Sequence, residues 1–252
     1  CTVVGGNGFR YCYTTGLVTF KNSTITGSTY GIHFDGSAGG EIVIDNCDIT
    51  GWTSFASTIT NVAISNTKFL NGNYNVLRFY QNATVENVTF PAGMRIDTGN
   101  GGTGMEGVDV RFNGCSIVGG DLEDAFPDSV IAKSDIYVDN VLLKREAKIG
   151  DTYYETLAEA ATAAQDGETI QLLWNEGDAA ISMAATFVGN KTVTITGTAD
   201  VDWSKGWFYV GRNGEGDGHV IFDNANLTSA SNSNSTGIHV SGREKDTNDK
   251  YD

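Results

Sequence analysis

Histidine is the side chain best suited to move a proton near neutral pH, and two of the three histidines here stand in the same phrase. His33 lies in Gly31-Ile32-His33-Phe34 and His239 in Gly237-Ile238-His239-Val240. Strand alternation puts Ile32 and Phe34 inward and His33 outward, which suits a structural or solvent-facing role better than acid–base catalysis. Glycosidic bond cleavage by acid–base chemistry needs two carboxylates facing across one cleft. Acidic residues abound, but the sequence alone places no two of them opposite each other. Asp246-Thr247-Asn248-Asp249-Lys250-Tyr251-Asp252 offers oxygens at alternating positions, as a calcium loop does. It lacks the loop glycine and the distant glutamate, so a solvated loop is expected. The stretch holding Asp121, Glu123, Asp124 and Asp128 reads the same way.

Aromatic and sulfur chemistry are equally open. Trp203, Trp207, Phe208 and Tyr209 lie close together, and Trp52 sits at a corner between strand-like runs. Such residues either fill a core, their more frequent fate, or stack on sugar rings. The four cysteines show no CxxC spacing and no nearby histidine cluster, which argues against structural zinc. Cys1 and Cys12 are candidates to pair across adjacent strands. Cys47 and Cys115 read as small buried apolar residues. No catalytic residue, metal ligand or cofactor is assigned from sequence.

Composition narrows the partners. The formal net charge is −15, from 31 acidic against 16 basic residues. Nucleic acid and anionic membrane surfaces need clustered Lys and Arg, so neither is expected as a partner. No apolar run approaches the roughly 18 residues of a membrane-spanning helix, so membrane insertion is not expected. Cys1 falls inside a pattern already under way, as in a fragment of a longer chain. With 32 Gly, 2 Pro and abundant Thr, Asn, Ser and Asp, many short strands with frequent turns are expected.

One phrase supplies those turns: apolar, polar, Asn, small, polar, apolar. It appears as Phe20-Lys21-Asn22-Ser23-Thr24-Ile25, Ile44-Asp45-Asn46-Cys47-Asp48-Ile49, Ile64-Ser65-Asn66-Thr67-Lys68-Phe69 and Val85-Glu86-Asn87-Val88-Thr89-Phe90. Looser copies start at Phe112, Val138 and Phe222. From Asn22 through Asn46, Asn66, Asn87 and Gly114 to Asn140 the spacings are 24, 20, 21, 27 and 26 residues. Repeats of that length, made of short strands and turns, match one three-sided coil of a parallel β-helix. Asn in the marker column is expected to bond along a ladder or to take a left-handed turn. A leucine-rich repeat would need an LxxLxL frame that is absent here, and an antiparallel sandwich would not repeat one phrase. The fold class expected is all-β, a parallel solenoid of about 20–27 residues per coil.

One segment departs from this pattern. Thr156 with Glu159 three residues on forms a capping box, and the Ala-rich run behind it favours a short helix near 156–165. Leu157, Ala160, Ala161 and Ala164 share one face, Asp166-Gly167 ends the helix, and Glu168 to Leu173 reads as a strand. This run, YETLAEAATAAQDGETIQLL, resembles the start of modules in the pectin-lyase-like right-handed β-helix superfamily, where a short helix covers the solenoid end. The preceding Ala147 to Tyr154 is similar to the lead-in of tandem modules in large surface proteins of gut-type Gram-positive bacteria.

The resemblance implies two modules: 1–144, coils without their N-terminal cap, and 145–252, a capped module cut before its last coils. A second comparison agrees, since STYGIHFDG at Ser28 recurs as STGIHVSG at Ser235, and LVTFKNSTITG at Leu17 as HVIFDNANLTS at His219. Both ends are then open, and end-to-end stacking with neighbouring modules is expected. Polygalacturonases of this superfamily carry Asn-Thr-Asp, Asp-Asp, Gly-His-Gly and Arg-Ile-Lys motifs, and pectate lyases a Trp-Ile-Asp-His phrase. None occurs here. The expectation is a non-catalytic, extracellular module at a bacterial cell surface or secreted, serving adhesion, glycan or host-surface binding, or spacing. The rivals are a polysaccharide lyase or glycoside hydrolase, and a phage or viral fibre component.

Overall fold

Each copy of the phrase turns the chain at its marker residue. In the computed structural model Asn22, Asn66 and Asn224 have φ 50°, Asn46 and Asn87 52°, Gly114 60° and Asn140 66°. A left-handed backbone costs most L-residues about 1–2 kcal/mol, and Asn is one of the few that adopts it routinely. Among the described non-glycine residues only Asp139, the neighbour of Asn140, shares this conformation. The sequence phrase is therefore a turn signal, and its spacing is the length of a coil.

The structure describes residues 1–35, 39–173, 181–182, 186–188, 190–202, 208–210, 218–229 and 238–240. The chain divides into two units, Cys1–Lys144 and Arg145–Asp252.

In the first unit β1 (Thr2–Cys12), β2 (Leu17–Phe34) and β3 (Glu41–Ser54) are long strands that continue around corners. The next coils divide each circuit into three strands: β4 (Asn61–Ser65), β5 (Lys68–Leu70) and β6 (Val76–Phe79), then β7 (Ala83–Glu86), β8 (Thr89–Phe90) and β9 (Arg95–Thr98). After β10 (Asp109–Asn113) and β11 (Ser116–Ile117) the chain forms α1 (Asp128–Ile131) instead of a third strand, then β12 (Asp135–Val138) and β13 (Val141–Leu143). Parallel pairing stacks these into three faces of a β-helix. On face one Phe20, Ile44, Ile64, Val85, Phe112 and Val138 stand in one register column. Face two carries Val3, Ile25, Ile49 and Phe69. The ends of β2 and β3 with β6 and β9 make face three. β13 pairs antiparallel with β12 and covers its edge.

Inward side chains of all three faces meet in one core. Phe34, Phe55 and Phe79 stack with ring centroids 6.3 and 5.8 Å apart, and Phe69 stacks on Phe90 at 5.4 Å. The corners add a polar ladder outside the core. Asn46 Nδ2 donates to Asn22 Oδ1 at 2.8 Å, and Asn66 Nδ2 and Ser65 Oγ donate to Asp45 Oδ1 at 2.9 and 3.0 Å. Donation from Asn66, then Ser65 and Lys21, holds the Asp45 carboxyl below its ordinary pKa. At the next corner Gly51 has φ 102°, and a Cβ there would lie 2.5 Å from the Gly27 carbonyl. Only glycine lets the coils approach so closely.

Two expectations need correction. Cys1 and Cys12 lie at opposite ends of β1, not across adjacent strands, and the Cys1 thiol is free. Cys47 is buried and Cys115 half-buried against the core, and burial raises both thiol pKa values. In the acidic stretch Asp121, Glu123, Asp124 and Asp128 are exposed as expected, but they alternate with buried Leu122, Ala125, Phe126, Val130 and Ile131. That segment packs onto the core through a short 3-10 turn and α1, and is not a plain solvated loop.

The second unit opens on the hairpin β14 (Ala147–Ile149) and β15 (Thr152–Tyr154), followed by α2 (Leu157–Ala163). Thr156 and Glu159 form the reciprocal capping box, and Leu157, Ala160, Ala161 and Ala164 are all buried. Lys191 Nζ closes the other end, donating to the Ala164 and Thr162 carbonyls at 2.7 and 3.0 Å. Behind the helix β16 (Thr169–Leu172) pairs antiparallel with β14. On its other edge it runs parallel to β19 (Thr192–Asp202), which also carries β17 (Ile181–Ser182) and β21 (His219–Ser229). A second parallel sheet joins β18 (Thr186–Val188), β20 (Phe208–Val210) and β22 (Ile238–Val240).

Asn46→Ala forces a Cβ-bearing residue without a local amide into the left-handed turn and destabilises the chain by about 1–2 kcal/mol. Asn46→Gly keeps the turn, loses only the ladder bond, and costs less than half as much. Urea unfolding of both variants checks this; equal losses would contradict it.

Candidate functional site

Face three concentrates outward-pointing rings and charges, one coil above another. His33 pairs with Ser54, Ser54 with Arg78 and Arg78 with Asp97, so these four occupy one column. Beside it Tyr30 pairs with Trp52. The Tyr30 and Trp52 rings stack at 5.4 Å and 22°, the Arg10 guanidinium lies 4.5 Å over Tyr30, and that of Arg78 lies 4.9 Å over Trp52. Four successive coils thus contribute an alternating ladder, guanidinium, phenol, indole, guanidinium. Each cation–ring contact adds about 0.5–2 kcal/mol, more where water is excluded.

The lower end of the ladder is clamped. Asp97 is fully buried and accepts from Arg78 Nη2 at 3.1 Å and from Arg95 Nε and Nη2 at 2.6 and 3.1 Å. Arg95 Nη2 donates also to the Gly101 carbonyl at 2.8 Å. Around the pair wraps a glycine-rich turn; a Cβ on Gly102 would lie 2.5 Å from Arg95 Nη2. Ser134 pins that turn, its Oγ accepting from Met105 N at 3.0 Å and donating to Met105 O at 2.8 Å. With that proton committed, Thr98 Oγ1 is the donor in its 2.6 Å bond to Ser134 Oγ. Asp97 is therefore a positioning anion for Arg78, held by two cations.

Above the clamp opens a cleft of about 370 Å³ lined by His33, Asp35, Trp52, Ser54, Arg78 and Tyr80, among others. His33 Nδ1 lies 2.9 Å from Asp35 Oδ1, at ion-pair distance but off hydrogen-bond alignment. Burial lowers the His33 pKa, Asp35 opposes this, and Arg10 and Arg78 add to it. Four buried side-chain nitrogens lack an aligned partner among the described residues, and three of them, His33 Nδ1, Trp52 Nε1 and Arg78 Nε, belong to this cleft. A buried polar group left unpaired costs about 1–3 kcal/mol.

Sequence-level candidates are distributed unevenly over this arrangement. His33 points outward, as alternation requires, but packs against Tyr30 and Trp52 with centroids at 4.5 and 5.7 Å. Trp52 follows the Gly51 corner on face three, with one ring face on Tyr30 and the other under Arg78, so it offers a ligand its edge and not a face. The acidic residues from Asp121 to Asp128 are not among those lining the cleft. His239, Phe208 and Tyr209 are placed by backbone only, on β22 and β20. Trp203, Trp207 and Asp246 to Asp252 lie outside the described residues. Sequence reasoning missed Arg10, Tyr30, Arg78, Tyr80 and Asp97. Their signal was polar or aromatic residues at outward positions of strands one coil apart. Among the described residues no three or more His, Cys, Asp or Glu side chains are grouped to hold a metal. No family model, curated protein or solved structure matches this chain.

Removing one partner from a buried ion cluster leaves charge uncompensated. Asp97→Asn, which removes the buried negative charge between Arg78 and Arg95, is expected to destabilise the chain by about 3 kcal/mol. Denaturant unfolding reads the loss; a change within 0.5 kcal/mol, about that of a neutral surface substitution, would show that the clamp is dispensable.

Proposed function

We propose that this chain is a non-catalytic, extracellular β-solenoid module of a bacterial surface or secreted protein, which binds glycans at the face-three cleft. The observation that carries this reading is the cleft of about 370 Å³ on face three of a rigid scaffold, lined by His33, Asp35, Trp52, Ser54, Arg78 and Tyr80 among others. Sugar hydroxyls both donate and accept, which suits a lining of imidazole, carboxylate, hydroxyl and guanidinium groups, and an extended glycan runs along a solenoid face. The cleft volume falls in the range of small-ligand sites. A net charge of −15 disfavours nucleic acid, which needs a track of cations and not one guanidinium ladder. The resemblance of the Ala147 to Tyr154 lead-in to tandem modules of large bacterial surface proteins supports the extracellular setting.

One observation favours a second reading, a polysaccharide-active enzyme of the same fold. His33 and Asp35 stand 2.9 Å apart in the cleft, a pairing that can move a proton. Against it, the buried carboxylate Asp97 is locked by two guanidiniums and leaves Asp35 without a free opposing acid.

Trp52→Ala removes the centre of the ladder. The full 252-residue chain is expected to retain a defined subset of a glycan array, and Trp52→Ala to weaken that binding at least tenfold. No glycan retained, or a variant that binds as the parent does, would refute the reading. Release of reducing ends that Asp35→Asn abolishes would move the enzyme ahead.

A further inference from the structure

We propose that the outer edge of β1 is a joining surface, which takes as its next coil the capped opening segment of another copy of this module. Register, and not the cleft, is the reason. Asn22 and Asn224 make the same left-handed turn, both at φ 50°. Three residues on, Ile25 pairs with Val3 of β1, and Leu227 pairs with Ala199 of β19. In the histidine phrase that both units carry, Ile32 pairs with Phe9 of β1, and Ile238 with Phe208 of β20. β1 therefore holds in the first unit the place that the end of β19 and β20 together hold in the second. Phe recurs at one of the matched positions, Phe9 and Phe208.

What lies beyond that place differs between the units. In the second, β17 pairs with β19 at Val201 and Asp202, β18 pairs with β20 at Phe208, and α2 packs beside β18. Ala199 and Val201 are fully buried there. Among the described residues β1 pairs only with β2. As an edge strand it presents backbone N–H and C=O groups to a neighbour. Its inward-facing Val3 and Phe9 are only half-buried, as are Val18 and Phe20 at the start of β2. One coil further in, Ile25, Ile32, Ile42 and Ile44 have no exposure at all. The core is thus open at this end, and the second unit shows what closes such an end. Charge allows the match. Cys1 to Phe20 contain no acidic residue and one base, Arg10, while the opening segment Arg145 to Gly197 carries eight acidic residues against three basic ones.

The test gives the full chain a second copy of its own opening segment. Arg145 to Gly197 are joined to Thr2 in place of Cys1, a splice set by Thr2 and Thr198, which pair with Thr24 and Asn226. Gly197 is kept at the join because a Cβ there would lie 2.7 Å from the Leu172 carbonyl oxygen. Hydrogen exchange of the β1 amides is expected to slow at least about tenfold relative to the unextended chain, and the thermal midpoint to rise. In a control graft glycine and serine replace Ile181 to Val188, which removes β17 and β18 and leaves α2. That graft is expected to lose most of the slowing. β1 amides that exchange at the unextended rate in the intact graft, or equal slowing by both grafts, overturn the proposal. So does an unextended chain that dimerises with its β1 amides protected, since a second copy then occupies the edge. None of these outcomes bears on the glycan array, so the two proposals fail separately.

Discussion

A left-handed residue once per coil, in register from one coil to the next, is the constraint on which this structure depends. Asn22, Asn46, Asn66 and Asn87 turn the chain through nearly the same φ. Each turn ends one strand and begins the next without losing the inside–outside alternation. A slip of a single residue would exchange the buried and solvent faces of a strand. Asn suits the corner twice over, since it tolerates the backbone and its amide reaches the coil next door, as from Asn46 to Asn22. Where Gly114 replaces it, the amide ladder is broken, and an Asp139 carboxylate oxygen accepts from the Gly114 N–H instead.

Given fixed corners on faces one and two, face three is free to vary. The path from the Asn corner to face three changes length between coils, through a bulge between Tyr30 and His33 and a longer connection before Val76. This is where the protein places its rings and guanidiniums. Core positions are filled by Ile, Val and Phe in every coil and have little scope to differ. Face three instead changes from coil to coil, and the Asp97 clamp with its glycine-rich wrapping fixes Arg78 there.

How much of this could be read from sequence follows from the same division. The corners were legible because a left-handed turn selects Asn or Gly, so a chemical preference recurs at coil spacing. The start of α2 was legible because Thr156 and Glu159 serve local hydrogen bonds three residues apart. The core face of α2 followed from helical spacing alone. The cleft was not legible, because Tyr30, Trp52, Arg78 and Asp97 meet only through register. Measured from the preceding Asn they sit 8, 6, 12 and 10 residues on, with no constant offset to reveal the column. The segment from Leu122 to Ile131 was misread for another reason. Its acids were counted as one solvated run, while the apolar residues between them face the core.

The central functional claim is that the face-three cleft binds a glycan beside Trp52, and nitrogen-edited NMR observes that indole directly. The chain has four tryptophans, and Trp52→Phe identifies the indole signal of the one in the cleft. On titration with an oligosaccharide retained by the glycan array that signal is predicted to shift, while the other three stay in place. A Trp52 signal that remains fixed while the ligand binds, or one that moves only together with the other three, would contradict the account.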